Sequence, residues 1–314
     1  MKSKTRSEYL PWLIGGVAFL TVLVVFALYA HAHLGGNRAQ QLASKNRRLD
    51  LIGRMQLDLA SASEAEKSAV LATTDAGSLM FANQARAATT ELVQAQQELR
   101  ALLAPNGPQS ERELLAQFST AFANLQRLDD ELLALAVQNT NLKAYSLLYG
   151  PAAETLAEMD TALEQVVARY ADGSEGKQVM AMAFRARIGV LRIQVLLSPH
   201  IAEENDAKMD QMEASMTREE TEIRKHLDGL ATMTKLAADI DVVAAGSRFL
   251  EYEAIKAKIL PLSRENTNVR SLTLSLTQKR SAMILCLDVL NALKQAVLEE
   301  PIAEVSYGRA AKPR

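Results

Sequence analysis

A phrase repeated at a fixed distance constrains this chain more than any other feature. Asn139-Thr140-Asn141-Leu142-Lys143 returns as Asn266-Thr267-Asn268-Val269-Arg270, a shift of 266 − 139 = 127 residues. At that shift Phe122 meets Phe249, Leu133 meets Leu260, Leu135 meets Leu262 and Leu147 meets Leu274. The mismatches keep their chemistry: Lys143 meets Arg270 and Ser146 meets Thr273. Self-similarity at a long period is the mark of one module used twice.

The module is helical. Hydrophobic residues make up 48% of the chain, yet aromatics only 5%, and Ala, Leu, Glu, Gln and Lys dominate. These are the strong helix formers. Few β-branched runs and few turn residues argue against sheets. A net charge of −2 without a basic tract argues against a nucleic-acid partner. The single cysteine, Cys286, excludes an intrachain disulfide and reads as a small buried apolar residue.

Leu10 to Ala30 is an uncharged apolar run. About 20 helical residues cross a hydrocarbon core about 30 Å thick. Trp12 and Tyr29 stand near its ends as interfacial aromatics, and Lys2, Lys4 and Arg6 before it favour a cytoplasmic N-terminus. Ala30-His31-Ala32 would suit a signal-peptide cleavage site, but the run exceeds the roughly 7–15 residues of an h-region, so an uncleaved anchor is the expectation. No second spanning segment is expected. The bulk of the chain would then be periplasmic, on a single-pass bacterial inner-membrane anchor.

Periodicity then places the helices. Gly35-Gly36 is read as the end of the anchor segment, with helix from about Arg38 to Thr73 and a second to about Leu103, interrupted at Asp75-Ala76-Gly77. Pro105-Asn106-Gly107-Pro108 is a turn, and Ser110 with Glu113 reads as a capping box. Leu114, Phe118, Phe122, Leu125, Leu128, Leu132 and Leu135 form a seam averaging about 3.5 residues, the spacing of bundle packing. Pro151 suits the first turn of the next helix, whose seam is Leu156, Met159, Leu163, Val166 and Tyr170. Ala171 to Gly176 reads as the module boundary. Ser198-Pro199 is expected to end the following helix, and Pro261 to kink or break a later one.

The expectation is an all-α protein: an N-terminal transmembrane helix followed by two tandem up-down four-helix-bundle modules, side by side or end to end. Residues 1–8 are the cytoplasmic N-terminus, 9–32 the anchor, 36–172 the first module, 177–300 the second and 301–314 a disordered tail.

The pattern has a likeness among known proteins. An anchor leads into a long amphipathic helix containing Glu66-Lys67-Ser68-Ala69-Val70-Leu71-Ala72-Thr73; a hairpin follows, then Leu133-Ala134-Leu135-Ala136-Val137-Gln138-Asn139. The second copy, Ile259 to Asn268, is similar. This resembles the four-helix-bundle extracytoplasmic sensor domain of methyl-accepting chemotaxis proteins, in tandem over roughly residues 36–300. The resemblance implies binding of small molecules or partner proteins, dimerisation, and signalling by small helix displacements across the membrane. Such receptors continue into a second spanning helix, a HAMP linker and a signalling domain, none of which is read here. The output is therefore expected to pass through a partner protein, unless signalling is lost or the chain is a fragment of a longer gene.

Within this reading, arginines are the candidate anchors for an anionic ligand, since a guanidinium grips a carboxylate bidentately. Arg47, Arg48 and Arg54 on the first helix and Arg185, Arg187 and Arg192 on the fifth are the arginines in view; Arg47, Arg54, Arg185 and Arg192 are the candidates, with Arg192 also readable as a side chain lying over apolar surface. Asn139 and Asn266 are the others: Asn and Thr inside a helix are mildly unfavourable and need compensation, either a polar layer fixing register or a ligand contact. Met209, Met212 and Met216 carry core spacing, and His200 and His226 carry no ligand spacing, so no metal is expected. With no phosphate loop, nucleophile elbow or HExxH, a non-enzyme without cofactor is expected. The chain reads as a membrane-anchored sensor for a small organic acid or amine, a homodimer signalling through a partner. The alternative is a structural or adaptor protein holding a partner in the cell envelope.

Overall fold

The computed structural model describes residues 10–104 and 107–301, except the side chains of 10–18 and 27–38. The expectations for the basic N-terminus, the tail, the Pro105-Asn106 turn and the side chains of Trp12 and Tyr29 lie outside the described residues. The protein is all-α, with no strand among the described residues. The helices are α1 (Leu10–Leu71), α2 (Asp75–Leu103), α3 (Gln109–Ala136), α4 (Thr140–Leu147), α5 (Ala153–Tyr170), α6 (Gly176–Ala202), α7 (Asp206–Thr232), α8 (Ile240–Glu265), α9 (Thr267–Leu274) and α10 (Arg280–Glu299). Two π-helical turns interrupt them: π1 at Leu148–Ala152 and π2 at Ser275–Lys279.

Several boundaries differ from the sequence reading. Helix α1 runs through Gly35-Gly36 without a break. The interruption before α2 falls at Ala72 to Thr74, and Asp75 opens the new helix, where a carboxylate suits the positive end of the dipole. Helix α3 starts at Gln109, so Ser110 is already helical and does not cap it. Pro151 sits in π1 rather than at a helix start, because the helix begins at Thr140. Pro199 does not stop α6, which continues to Ala202. Tyr145 and Tyr149 brace that point from outside, donating to the Ser198 carbonyl at 3.3 Å and meeting the Ser198 hydroxyl at 3.2 Å. Pro261 likewise lies within α8.

The chain divides into two compact units. One comprises residues 1–60, 88–121 and 284–314; the other comprises 61–87 and 122–283. They differ from the consecutive modules expected at 36–172 and 177–300. Each unit mixes helices of both repeats: the first combines parts of α1, α2 and α3 with most of α10, the second combines α5 with α6, α7 and α8. Hydrophobic periodicity reports which face of a helix is covered, not which helix covers it.

In the first unit the apolar faces are Leu51, Ile52, Met55 and Leu59 of α1, Leu92, Leu99 and Leu103 of α2, Leu115 and Phe118 of α3, and Cys286, Leu290, Leu293 and Val297 of α10, all buried. Polar contacts tie α1 to the other three. Arg47 meets Glu98 at 2.6 Å, and Gln56 donates to Asn291 at 2.8 Å. Arg48 is buried; its Nη1 reaches both oxygens of buried Glu111 at 2.7 Å, and its Nη2 meets Glu300. Desolvation outweighs Arg48 here and pushes the Glu111 carboxyl above the usual carboxylate range.

In the second unit α6 packs on α7, α5 on α8 and α6, and α7 on α8. Leu163, Val166, Ala186, Ile193, Ile223, Leu230, Phe249 and Tyr252 fill the core between them. Close approach needs Gly189: a Cβ there would stand 2.6 Å from Ile223. Helices α7 and α8 are capped by Asn205, accepting from the Lys208 amide, and by Asp239, accepting from the Asp241 and Val242 amides.

Among the described residues one helical stretch, Ile240–Glu299, is long and apolar enough to cross a membrane. It is C-terminal, where no such segment was expected. Its apolar residues also serve as core, since Phe249, Tyr252, Leu290 and Leu293 are buried inside the protein. The stretch is interrupted by Asn266 and carries buried Lys279. At the other end, Phe19, Leu20, Val22, Leu23, Val24, Val25 and Phe26 are all exposed around α1.

Arg48→Ala is expected to lower stability by about 3–5 kcal/mol, because it leaves Glu111 buried without its cation. Arg47→Ala, which breaks exposed pairs, is expected to cost less than about 1 kcal/mol. Urea unfolding of both variants checks the contrast.

Candidate functional site

The repeated phrase folds against itself. Asn139 and Asn266 adopt the left-handed conformation, with φ of 52° and 51°. Asn266 alone separates α8 from α9, while Asn139 closes the short break after Ala136, and α4 and α9 start afresh after them. The phrases were expected inside continuous helices. Asn is among the few side chains that tolerate this backbone region, so it supplies the junction at modest cost.

The pairing across the repeats is reciprocal. The Thr140 amide donates to the Thr267 hydroxyl at 3.2 Å, and the Thr267 amide donates to the Thr140 hydroxyl at 3.1 Å. The Asn141 amide donates to Asn268 Oδ1 at 3.2 Å, and the Asn268 amide donates to Asn141 Oδ1 at 3.1 Å. Two further side-chain bonds cross the junction: Asn141 Nδ2 to Asn266 Oδ1 at 2.6 Å, and Asn268 Nδ2 to Asn139 Oδ1 at 3.0 Å. Residue i meets residue j as j meets i, the pattern of an isologous contact around a twofold axis, here within one chain. First-turn amides of α4 and α9, which have no partner within their own helices, are thereby satisfied.

The junction is tied outward as well. Asn139 Nδ2 donates to Asp75 at 2.9 Å and to Ser78 at 3.0 Å, Asn266 Nδ2 to the Glu203 carbonyl at 2.5 Å, and Asn141 Nδ2 to the Ile201 carbonyl at 2.6 Å. One helix later each copy enters its π-helical turn, and π1 and π2 are again related by the 127-residue shift.

A charged cluster flanks the second copy. His200 is fully buried; its Nδ1 lies 2.7 Å from the Ser263 hydroxyl and its Nε2 lies 2.9 Å from Glu213. Arg264 holds Glu213 at 2.8 Å and Asp210 at 2.5 Å. Arg264 keeps the Glu213 carboxyl below the usual range, while burial lowers His200. Ser263 can also donate to the His200 carbonyl at 2.9 Å. Its single proton serves that carbonyl or a neutral His200 Nδ1, not both.

Of the residues singled out in the sequence, Asn139 and Asn266 share this junction. The arginines do not join them. Arg192 is mostly exposed on α6 and meets Glu219 at 3.1 Å. Arg185 is exposed on the same helix. Arg47 and Arg54 belong to the other unit, where Arg47 pairs with Asp50 and Glu98, and Arg54 lies 3.9 Å from Glu91. Sequence reasoning missed Ser263 and Arg264. The available signal was a mismatch between the repeats, since the first copy has Ala136 and Val137 at the same places. Arg187, named in the sequence beside Arg185 and Arg192, lines with Asp160, Leu156, Met159, Val190 and Leu191 a groove of about 240 Å³ between α5 and α6. Arg187 pairs there with Asp160 and with Glu164 at 3.0 Å.

No protein-family model matches the chain, and no characterised protein matches it. The functional reading rests on its own residues.

Asn139→Ala is expected to cost about 2–4 kcal/mol. Alanine in the left-handed region accounts for roughly 1–2 kcal/mol, and the buried partners left unpaired for about 1–3 kcal/mol. Asn139→Gly relieves the backbone part alone, so its loss in thermal unfolding should be the smaller of the two.

Proposed function

We propose that this chain is a membrane-anchored sensor of the chemoreceptor type. In this reading the N-terminal part of α1 anchors it in the inner membrane with its basic end in the cytoplasm. Two four-helix modules stand in the periplasm, bind a small organic acid or amine, and pass the change to a partner protein. Homodimerisation through the anchor and α1 belongs to the same proposal.

The observation that carries the reading is the paired discontinuity. Both copies place a left-handed Asn, a short helix and a π-helical turn at the same point. π-turns recur at functional sites, where a helix stores a displaced register. A sensor that signals by small axial helix shifts needs such a point. Support for the anchor comes from Phe19 to Phe26, because a helix that is apolar on every side has no polar face to turn to water. The groove at Arg187 and Asp160 offers a place for the ligand: its lining is apolar apart from one cation and one carboxylate, which pair with each other.

A second reading, the envelope adaptor, is favoured by one feature. Phe184, Ile188, Leu191 and Val195 form an exposed apolar stripe on α6, which suits a protein partner.

The test is thermal unfolding of the full chain in lipid nanodiscs against a panel of organic acids and amines. A ligand at one hundred times its Kd adds about 2.7 kcal/mol of stability. The sensor reading predicts a melting shift of several degrees for one class of compound, reduced when Arg187 is replaced by Ala. A panel without any shift, together with a specific crosslinked partner lost in Leu191→Glu, would favour the adaptor.

A further inference from the structure

A second charged cluster lies apart from the groove and the repeated phrase. Lys279, the last residue of π2, is buried, and its Nζ donates to Ser63 at 2.9 Å and to Glu66 at 2.5 Å. Asp129 of α3 lies beside them, with Oδ1 at 3.8 Å from the same Nζ. Glu66 is only 1% exposed, yet its Oε1 has no hydrogen-bond partner, nor does Asp129 Oδ1. Two carboxylates therefore share one ammonium, with Glu66 and Lys279 buried and Asp129 half-buried at 17% side-chain exposure, and the group is short of one positive charge. An isolated buried charge of that kind is strongly disfavoured.

The fold does not require this arrangement. At the 127-residue shift, the place of Lys279 in π1 is taken by Ala152, which is fully buried. The place of Asp129 is taken by Lys256, which pairs instead with Glu220. The cluster thus draws Glu66 and Asp129 from the first repeat and Lys279 from the second, and the residues at the equivalent places, Ile193, Lys256 and Ala152, do not reproduce it.

We propose that Asp129, Glu66 and Lys279 form a proton-binding site that couples π2 to mildly acidic pH. A proton from solvent adds to the Asp129 carboxylate and brings the cluster from a net charge of −1 to zero. A metal ion fits less well, because the Lys279 ammonium already occupies the approach to both carboxylates. Consistent with that, no group of three or more metal-binding side chains occurs among the described residues. Burial, with Glu66 and neighbouring Asp130 adding to it, pushes the Asp129 carboxyl up to about 6, against the opposing pull of Lys279. Protonation leaves Lys279 to Glu66 and Ser63 alone; ionisation makes Asp129 a competitor for the residue that ends π2. This site does not depend on the ligand groove and stands whether or not a small molecule binds there.

The sign follows from the raised value. The stabilising contribution of Asp129 is fully present below its unfolded value of 3.8 and is lost as the pH rises through about 6. Buried His200 acts oppositely: its lowered value makes its contribution present above 6.5 and lost as pH falls.

The experiment is infrared difference spectroscopy of the full chain in nanodiscs between pH 5 and pH 7.5, with carboxyl-labelled aspartate to identify the band. The expected result is a protonated-acid carbonyl band that disappears with a midpoint near pH 6 and is missing in Asp129→Asn. Lys279→Ala, which installs the residue of the first copy, should raise that midpoint by about one pH unit or more. Hydrogen exchange across residues 267–290 should change with pH, after correction for intrinsic rates, in the wild type and not in Asp129→Asn. A band that persists in Asp129→Asn, a wild-type chain with no aspartic-acid band at pH 5, or a Lys279→Ala midpoint that stays or falls would each overturn the proton site. PH-independent exchange at π2 would overturn its coupling. Should Asp129→Asn not fold, Asp129→Glu takes its place: it keeps a carboxyl but must abolish the labelled-aspartate band, and a band that stays would overturn the site.

Discussion

The reciprocal hydrogen bonding of Asn-Thr-Asn with its own second copy is the contact on which the second unit depends. It fixes where two helices end and two begin, and it holds residues 127 apart in sequence side by side. Four backbone amides that the starts of α4 and α9 would otherwise leave unpaired are answered by side chains of the other repeat. In a buried site each of those groups would be costly if unmet. A single phrase could not achieve this; the geometry needs both copies.

From that contact the rest of the architecture is easier to understand. Two left-handed asparagines place a discontinuity at equivalent points, and two π-turns follow at equivalent points. The copies have then diverged around a shared frame. The second adds Ser263 and Arg264 where the first has Ala136 and Val137, and Lys279 where the first has Ala152. Arg264 half-buries a charge and Lys279 fully buries one, which a scaffold built only for stability has no reason to do. In a duplicated protein, the places where the copies disagree in polarity point to chemistry better than the places where they agree.

Much of the fold was legible in the sequence, and the limits have physical causes. Seam residues such as Phe118, Phe122, Leu125, Leu163 and Val166 are buried as their spacing predicts, because a 3.5-residue period reports the covered face directly. Helix partnership was not legible. Nothing in Leu163 or Leu290 says whether the first or the second repeat covers it. The prolines misled for a related reason: Pro199 is a stop signal in isolation, yet α6 continues to Ala202, with Tyr145 and Tyr149 packed onto Ser198 beside it. For the site, Asn139 and Asn266 stood out as helix-disfavoured residues, but their left-handed backbone depends on a partner far away in sequence. The ion cluster at Lys279 left no local trace at all, since Glu66, Asp129 and Lys279 look individually like ordinary surface charges.

The most direct test of the central contact is a double-mutant cycle on Asn141→Ala and Asn268→Ala, read by denaturant unfolding of the full chain. Direct reciprocal bonding predicts that the two losses are not additive, with a coupling energy of about 0.5–3 kcal/mol. Losses that add within about 0.3–0.5 kcal/mol, as for distant independent sites, would contradict the pairing of the two copies.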